Sequence, residues 1–238
     1  MMNTATALPH GCTENLAPLV ITFSGIDGAG KSSQIERLVS YLTDCGLQVS
    51  VVRFWEDVVL LRRMRESLGH ALFKGDRGAG TPDKPVRRMD KNVKRGYMLP
   101  IRLFFCLLDT VGLALTTAKI RRRSDVDVII FDRYIYDQIA NLNITNRLIQ
   151  FFARLLLRAT PRPGAAYVLD AEPSLACVRK PEYPLDFVTT NRLNYRLVSA
   201  TGGLTLIPPG TLEQVEQAIR CDLENRSHSP ADPTGYHQ

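Results

Sequence analysis

The sequence predicts an α/β fold, a five-stranded parallel sheet covered on both faces by helices. Three observations carry that expectation. Short apolar, β-rich runs recur along the chain, and helical patterns separate them. The most apolar run, Val128-Ile-Ile-Phe131, is unbroken, as in a strand buried on both faces. The 238 residues suit one domain, and 45% hydrophobic with 23% charged residues are ordinary globular values. Disorder, collagen and coiled coil are thereby set aside for the chain as a whole.

Residues 1–17 read as a flexible leader. Residues 19–23, Leu-Val-Ile-Thr-Phe, are the first strand candidate. A helix should open at Lys31, because Ile35, Leu38, Val39 and Leu42 fall on one face, and Gly46 should end it. Residues 47–54 form the second strand candidate. Residues 56–98 are basic and glycine-containing; the pattern predicts a helix around 57–72, a long loop, and then a helix across 99–120. Arg121-Arg-Arg123 closes that helix, where cations suit the negative end of its dipole. After the central strand at 128–131 come a helix at 146–158, a strand at 166–169 and charged helical segments around a loop at 171–200. A last strand at 204–207 and a last helix at 211–226 complete one domain, 18–226. From Ser227 the tail, 227–238, is polar with two prolines and reads as disordered.

Charge and cysteines narrow the setting. The net charge is +6 and 23 of the 30 cations are Arg, whose forks match phosphate oxygens two at a time. GC-rich coding yields the same count. The basic clusters lack interleaved aromatics, so no nucleic-acid partner is expected. Five scattered cysteines with no Cys-x-x-Cys read as free thiols in a reducing cytoplasm. The first 18 residues lack a basic start and an apolar core, so no signal peptide is expected. Residues 99–118 are long enough to span a bilayer, but Pro100, Arg102 and Asp109 interrupt them. A long buried helix is the better reading, without a membrane partner; it could also pack against a second subunit.

The strongest motif is Gly25-Ile26-Asp27-Gly28-Ala29-Gly30-Lys31-Ser32. It matches G-x-x-x-x-G-K-[ST], directly after a strand candidate and at the start of a helix candidate. Glycines let backbone N–H groups curl around phosphate oxygens, and the helix start adds its positive dipole end. Lys31 is placed for the β and γ phosphates and Ser32, beside Ser33, for Mg²⁺. A P-loop nucleoside triphosphate site follows. A second motif, Asp132-Arg133-Tyr134, ends the central strand, at the sheet edge where ligands of open α/β sheets sit. Asp132 is placed for a magnesium-bound water and Arg133 for a second phosphate. An ordinary strand-end salt bridge is the plainer alternative.

Together these residues resemble the thymidylate kinase family. The segment Phe23-Ser-Gly25-Ile-Asp27-Gly-Ala-Gly30-Lys31-Ser-Ser-Gln34 resembles that family's F-x-G-x-D-G-x-G-K-[ST]-[ST]-Q. Asp132-Arg133-Tyr134 is similar to its D-R-Y, and Leu169-Asp170-Ala-Glu-Pro173 to its L-D-x-x-P, which leads into the lid. The resemblance spans roughly 18–225. It implies a P-loop kinase fold with a short lid near 171–190, and MgATP-dependent phosphorylation of a nucleoside monophosphate. By the same resemblance Asp27 holds the acceptor's 3′-hydroxyl and Arg133 its phosphate. Gln138, Asn141 and Thr110 stand at acceptor-reading positions, where the family more often has an amide or small residue, a Tyr and an Arg. Val52-Arg53-Phe54-Trp55-Glu56 replaces the family's T-R-E-P-G, so the base-reading half departs while the phosphate-transfer half is kept.

Transfer requires a cation on the bridging and γ oxygens. Gly28 and Ala29 leave the loop without an arginine, so Arg179, and then Lys180, are the expected lid cations. The alternative is a pair of solvated charges at a helix end. Arg192 and Arg196 share a helical face that could reach the ATP phosphates, although solvent exposure is the commoner fate. Arg87, Arg88, Lys91 and Lys94 read as a solvated face. Trp55 is a base-stacking candidate or a core residue. A P-loop kinase with another small acceptor, or a nucleotide-binding regulatory module, are the competing readings. A homodimer is suggested by the apolar helix and the family resemblance.

Overall fold

The computed structural model describes residues 17–59, 99–142 and 146–228. Five strands pair in parallel in the order β2-β3-β1-β4-β5. They are β1 (Leu19–Ser24), β2 (Val49–Arg53), β3 (Val128–Asp132), β4 (Ala165–Leu169) and β5 (Thr205–Ile207). The helices are α1 (Lys31–Asp44), α2 (Leu99–Arg121), α3 (Ile135–Ala140), α4 (Arg147–Ala159), α5 (Pro173–Arg179), α6 (Leu185–Gly202) and α7 (Leu212–His228). A single π-helical turn, Phe54–Val58, follows β2.

Side chains alternate across the sheet, so the core forms on two faces. Val20, Ile129 and Phe131 face one way and join residues of α2, α3, α4 and α6, among them Leu113, Ile135, Leu156 and Val198. Ile21, Phe23, Val128 and Ile130 face the other way, against Ile35, Leu38 and Leu42 of α1 and Ile219 of α7. Because β1 and β3 are central and covered on both sides, they are apolar at nearly every position.

The elements follow the expected order, with informative differences. The first helix runs Lys31–Asp44; Gly46, at φ 83°, reverses the chain while Leu47 N–H reaches back to the Leu42 carbonyl. Asn146 is the N-cap of α4, its side chain accepting the Leu148 N–H at 2.8 Å. The last helix continues to His228, two residues beyond the expected end at 226, so Ser227 and His228 belong to the helix rather than to the tail. Helix α3 was not expected: six residues are too few to show a period. The leader, most of the 56–98 segment with its helix around 57–72 and basic cluster, and the tail beyond His228 lie outside the described residues.

The expectation of a long buried helix at 99–120 holds for one face only. Cys106, Asp109, Leu113, Thr117 and Ile120 of α2 are buried at helical spacing. Phe104, Leu107, Val111 and Leu115 on another face are exposed. The helix is long and apolar enough to cross a membrane by length and composition. Its buried stripe is packed into the core.

A core test follows from this packing. Ile130→Ala, at a fully buried position of the central strand, should destabilise the fold by about 2–5 kcal/mol, whereas Val51→Ala on exposed β2 should cost far less. Urea unfolding of the two variants measures the contrast.

Candidate active site

The carboxyl ends of β1 and β3 lie side by side, with Phe23 in register with Asp132. The chain leaves β1 into the 25–30 loop and leaves β3 into Arg133, so both motifs open onto one edge. Gly28 has φ 85°, and a Cβ there would run into the Ala176 carbonyl of α5. That position therefore requires glycine for both conformation and space. Gly30, at φ 87°, is the N-cap from which α1 starts. Ser32 and Ser33 stand exposed in the first turn of α1.

Lys31 is 6% exposed, and its Nζ donates to the Gly25 and Ile26 carbonyls, each at 2.8 Å. The amine folds back across its own loop. Burial pushes its pKa down to about 8, and the Arg133 guanidinium pushes the same way, while Asp27, Asp137 and Asp132 oppose them. Lys31 and Arg133 are thus near enough for their charges to repel.

Arg133 is the one non-glycine residue with positive φ among the described residues, at 74°. Such a conformation costs on the order of 1–3 kcal/mol and persists only where its surroundings fix it. Here the Arg133 N–H donates to the Phe23 carbonyl at 2.9 Å. Its guanidinium donates to Asp27 and, at 3.4 Å, to Asp137. Burial works against this charge, but Asp137 and Asp27 outweigh it and drive the pKa up.

Asp137 is the residue that sequence reasoning missed. Its side chain is 1% exposed. It accepts from Ser24 Oγ at 2.6 Å, Tyr195 Oη at 2.7 Å, the Tyr134 N–H at 3.1 Å and Arg133. Four donors from β1, α6, the β3–α3 turn and the motif arginine converge on one carboxylate. Burial, then Asp137, pushes the Tyr195 hydroxyl well above its ordinary pKa, so it stays a donor. The available signal was an acid four residues after Arg133, within ion-pair reach on a helical turn.

The lid cations reach the loop. Arg179, at the end of α5, places Nη1 3.4 Å from the Gly28 carbonyl. Lys180 Nζ lies 3.9 Å from Asp27 Oδ1 and 3.2 Å from Glu182. Asp27 is thus flanked by Arg133 and Lys180. Of the expectation that Arg192 and Arg196 reach ATP phosphates or solvent, solvent exposure holds for Arg196, whose side chain is 46% exposed, while both arginines are engaged by carboxylates. Arg192 grips Asp170 at 2.6 and 3.0 Å and Glu172 at 2.8 Å, and Arg196 meets Asp170 at 2.6 Å. Burial opposes the charge on Asp170, but the two arginines outweigh it and hold its carboxyl below the usual range.

The acceptor-side residues are more dispersed. Thr110 is buried in α2 with its hydroxyl on the Cys106 carbonyl at 3.0 Å. Asn141 donates to the Asp137 carbonyl at 2.8 Å and accepts from Asn191 at 3.4 Å, both within the α3–α6 packing. Gln138 is half-buried on α3. Trp55 is not a core residue: it is 40% exposed and meets Phe54 edge-on. Asp132, half-buried at the end of β3, makes no hydrogen bond or ion pair among the described residues. No cluster of three His, Cys, Asp or Glu ready to hold a metal occurs among them. A hydroxyl and one carboxylate nevertheless suit Mg²⁺, which takes most of its ligands from water and phosphates.

Comparison with known proteins agrees with this layout. No family model matches the chain. Over 60 residues the chain is 38% identical to a thymidylate kinase of Bifidobacterium longum subsp. infantis, covering 25% of this chain and about a quarter, 26%, of that relative. The crystal structure of thymidylate kinase from Ehrlichia chaffeensis superposes with a TM-score of 0.52 at 19% identity, over 87% of this chain and 99% of that one. The two name the same family. Both similarities are to thymidylate kinases, and the chain shares with the second an α/β fold built on a five-stranded parallel sheet flanked by helices.

Two outcomes are expected. Asp137→Ala strands Arg133, Ser24 and Tyr195 without their buried acceptor and should cost about 3–5 kcal/mol in denaturant unfolding. For Lys31, the folded pKa of about 8 lies below the ordinary 10.5. Between those values the unfolded chain binds the extra proton, so stability from this group rises with pH. Stability of the wild-type chain relative to Lys31→Met should therefore climb across that window; a flat difference would show that Lys31 is not buried as described.

Proposed function

We propose that this chain is a nucleotide kinase that moves the γ-phosphoryl group of MgATP onto a nucleoside monophosphate, with a dTMP-like acceptor first among candidates. The observation that carries the reading is the convergence of Lys31, Arg133, Arg179 and Lys180 on one glycine loop at the carboxyl edge of a parallel sheet. Phosphoryl transfer asks little covalent chemistry of a protein; it needs alignment and positive charge.

In this reading the amides of residues 25–33 and the start of α1 cradle the ATP phosphates. Lys31 exchanges its two carbonyl partners for phosphate oxygens, and the anion restores its full charge. Ser32 and Asp132 would hold Mg²⁺, which would supply positive charge against the phosphates. Arg133 holds the acceptor phosphate, kept in its strained conformation by Asp137 and the Phe23 carbonyl. Arg179, already beside Gly28, supplies the cation that the loop lacks, with Lys180 next to it. Asp27 then accepts from the acceptor's sugar, and Gln138, Asn141 and Thr110 lie toward its base. No strong general base is needed, because the acceptor phosphate is already an anion.

A second reading keeps the reaction and changes the acceptor to another small molecule. It is favoured by the polar groups of Thr110 and Asn141, which are bonded inward to their own helices. For either acceptor, the exposed apolar stripe of α2 supports a homodimer.

Arg179→Ala should lower turnover on the order of 10³-fold while changing ATP affinity far less. Equal losses in both would remove Arg179 from the transferring step. In a panel of acceptors with coupled ADP detection, dTMP should rank first; a rank no better than unrelated monophosphates would select the second reading.

A further inference from the structure

A second basic site lies at the opposite edge of the sheet. A cavity of about 540 Å³ is bounded by the amino end of β4, the last turns of α4 and α6, and α7. That volume is within the range of small-ligand sites. Gly164 and Ala166 line it, whereas the glycine loop follows the carboxyl end of β1. The five residues of β4 separate the two edges by roughly 16 Å. The cavity is therefore distinct from the candidate active site.

Four arginines line it, Arg154, Arg158, Arg162 and Arg226, and no acidic residue does. Seven arginines elsewhere in the described fold, Arg37, Arg53, Arg123, Arg133, Arg192, Arg196 and Arg220, make ion pairs, whereas Arg121, Arg122, Arg147 and Arg179 do not. Arg154, Arg158 and Arg162 make none among the described residues. Arg154 and Arg158 are four apart on α4, so their side chains share one face. Arg226 is held in place by Asp222 at 2.6 Å, Thr205 Oγ1 at 2.9 Å and the Gly164 carbonyl at 3.2 Å. It is a pre-positioned donor rather than a free surface charge.

The polar floor points the same way. Tyr136 lines the cavity and is only 6% exposed, and the Arg162 charge acts on its hydroxyl, so the phenol adds a polar group beside the arginines. Leu157 and Leu204 give the same wall an apolar part. Three guanidiniums without an ion pair among the described residues, one fixed guanidinium and one phenol line a hollow with no acidic lining residue, and together they match an anion with several oxygens and some apolar body. Arginine forks recognise such groups in pairs.

We infer that this cavity binds a small organic phosphate or diphosphate, at a site separate from the glycine loop. The inference does not rest on the kinase reading. Nucleotides and sugar phosphates share the required chemistry.

Calorimetric titration of the full chain with inorganic pyrophosphate tests it. Two sites per chain are expected in the wild type. Arg154→Ala/Arg158→Ala, both exposed and outside the core, should remove one of them or weaken it at least tenfold. Lys31→Ala should leave that site intact and weaken only the other, which separates failure here from failure of the active-site reading. Tyr136→Phe should weaken the cavity site several-fold without unfolding the chain. Arg122→Ala/Arg123→Ala, an equal charge loss elsewhere, should leave both. Competition by a nucleoside diphosphate and by a hexose phosphate then tells the two sources apart. A single wild-type site that Lys31→Ala removes and Arg154→Ala/Arg158→Ala leaves, or two sites both untouched by Arg154→Ala/Arg158→Ala, would overturn the inference, whereas a single site lost in Arg154→Ala/Arg158→Ala would support it and count against the active-site reading. Binding at these arginines of a single-stranded oligonucleotide but not pyrophosphate would also overturn it.

Discussion

The Asp137 carboxyl group lies where almost no water reaches, and the site is assembled around it. A buried polar group is tolerated only when it is hydrogen-bonded. Here the donors arrive from β1 through Ser24, from α6 through Tyr195, and from the β3–α3 turn through Tyr134 and Arg133. The requirement to satisfy one buried acceptor fixes the relative positions of three separate elements. It also fixes the orientation of Arg133, whose left-handed backbone would otherwise relax. The arginine that meets Asp27 of the glycine loop is therefore set by a buried residue four positions further along the chain.

Helix α5 and the turn after it are short, and their placement follows from contact rather than length. Helix α5 approaches so closely that only glycine fits at position 28, and this brings Arg179 and Lys180 over the loop without a long mobile arm. Pro181 and Pro184 stiffen the turn that follows, and Pro184 caps α6. Tyr183 is buried and packs on Phe187 at 4.9 Å between ring centroids, tying that turn to α6. Asp170 with Arg192 and Arg196 then locks α6 to the end of β4. Cation placement at the loop is thus a consequence of packing on the far side of the lid.

Helix α3 joins two regions of opposite character. Tyr136 borders the arginine-lined cavity, and Asp137, its neighbour in sequence, supports Arg133. Successive helical residues diverge by about 100°, so one short helix can face both. On the same side of the sheet, α2 buries one stripe in the core and leaves a second apolar stripe exposed.

The sequence alone determined the strand order of events along the chain, the parallel sheet, the glycine loop with Lys31, and the acid–arginine pair after β3. Each depends on residues close together in the chain, where period, turn chemistry and motif spacing act locally. It also singled out Arg179, because the loop had no arginine of its own. Only the tertiary structure decided that Asp137 would be the shared acceptor, since Ser24 lies 113 and Tyr195 58 positions away. It likewise decided that Arg192 and Arg196 would turn to Asp170, and that Arg154, Arg158, Arg162 and Arg226 would meet around one hollow. A charge in a sequence carries no record of its partner; that choice is made when distant elements pack and desolvation leaves each buried ion one place to go.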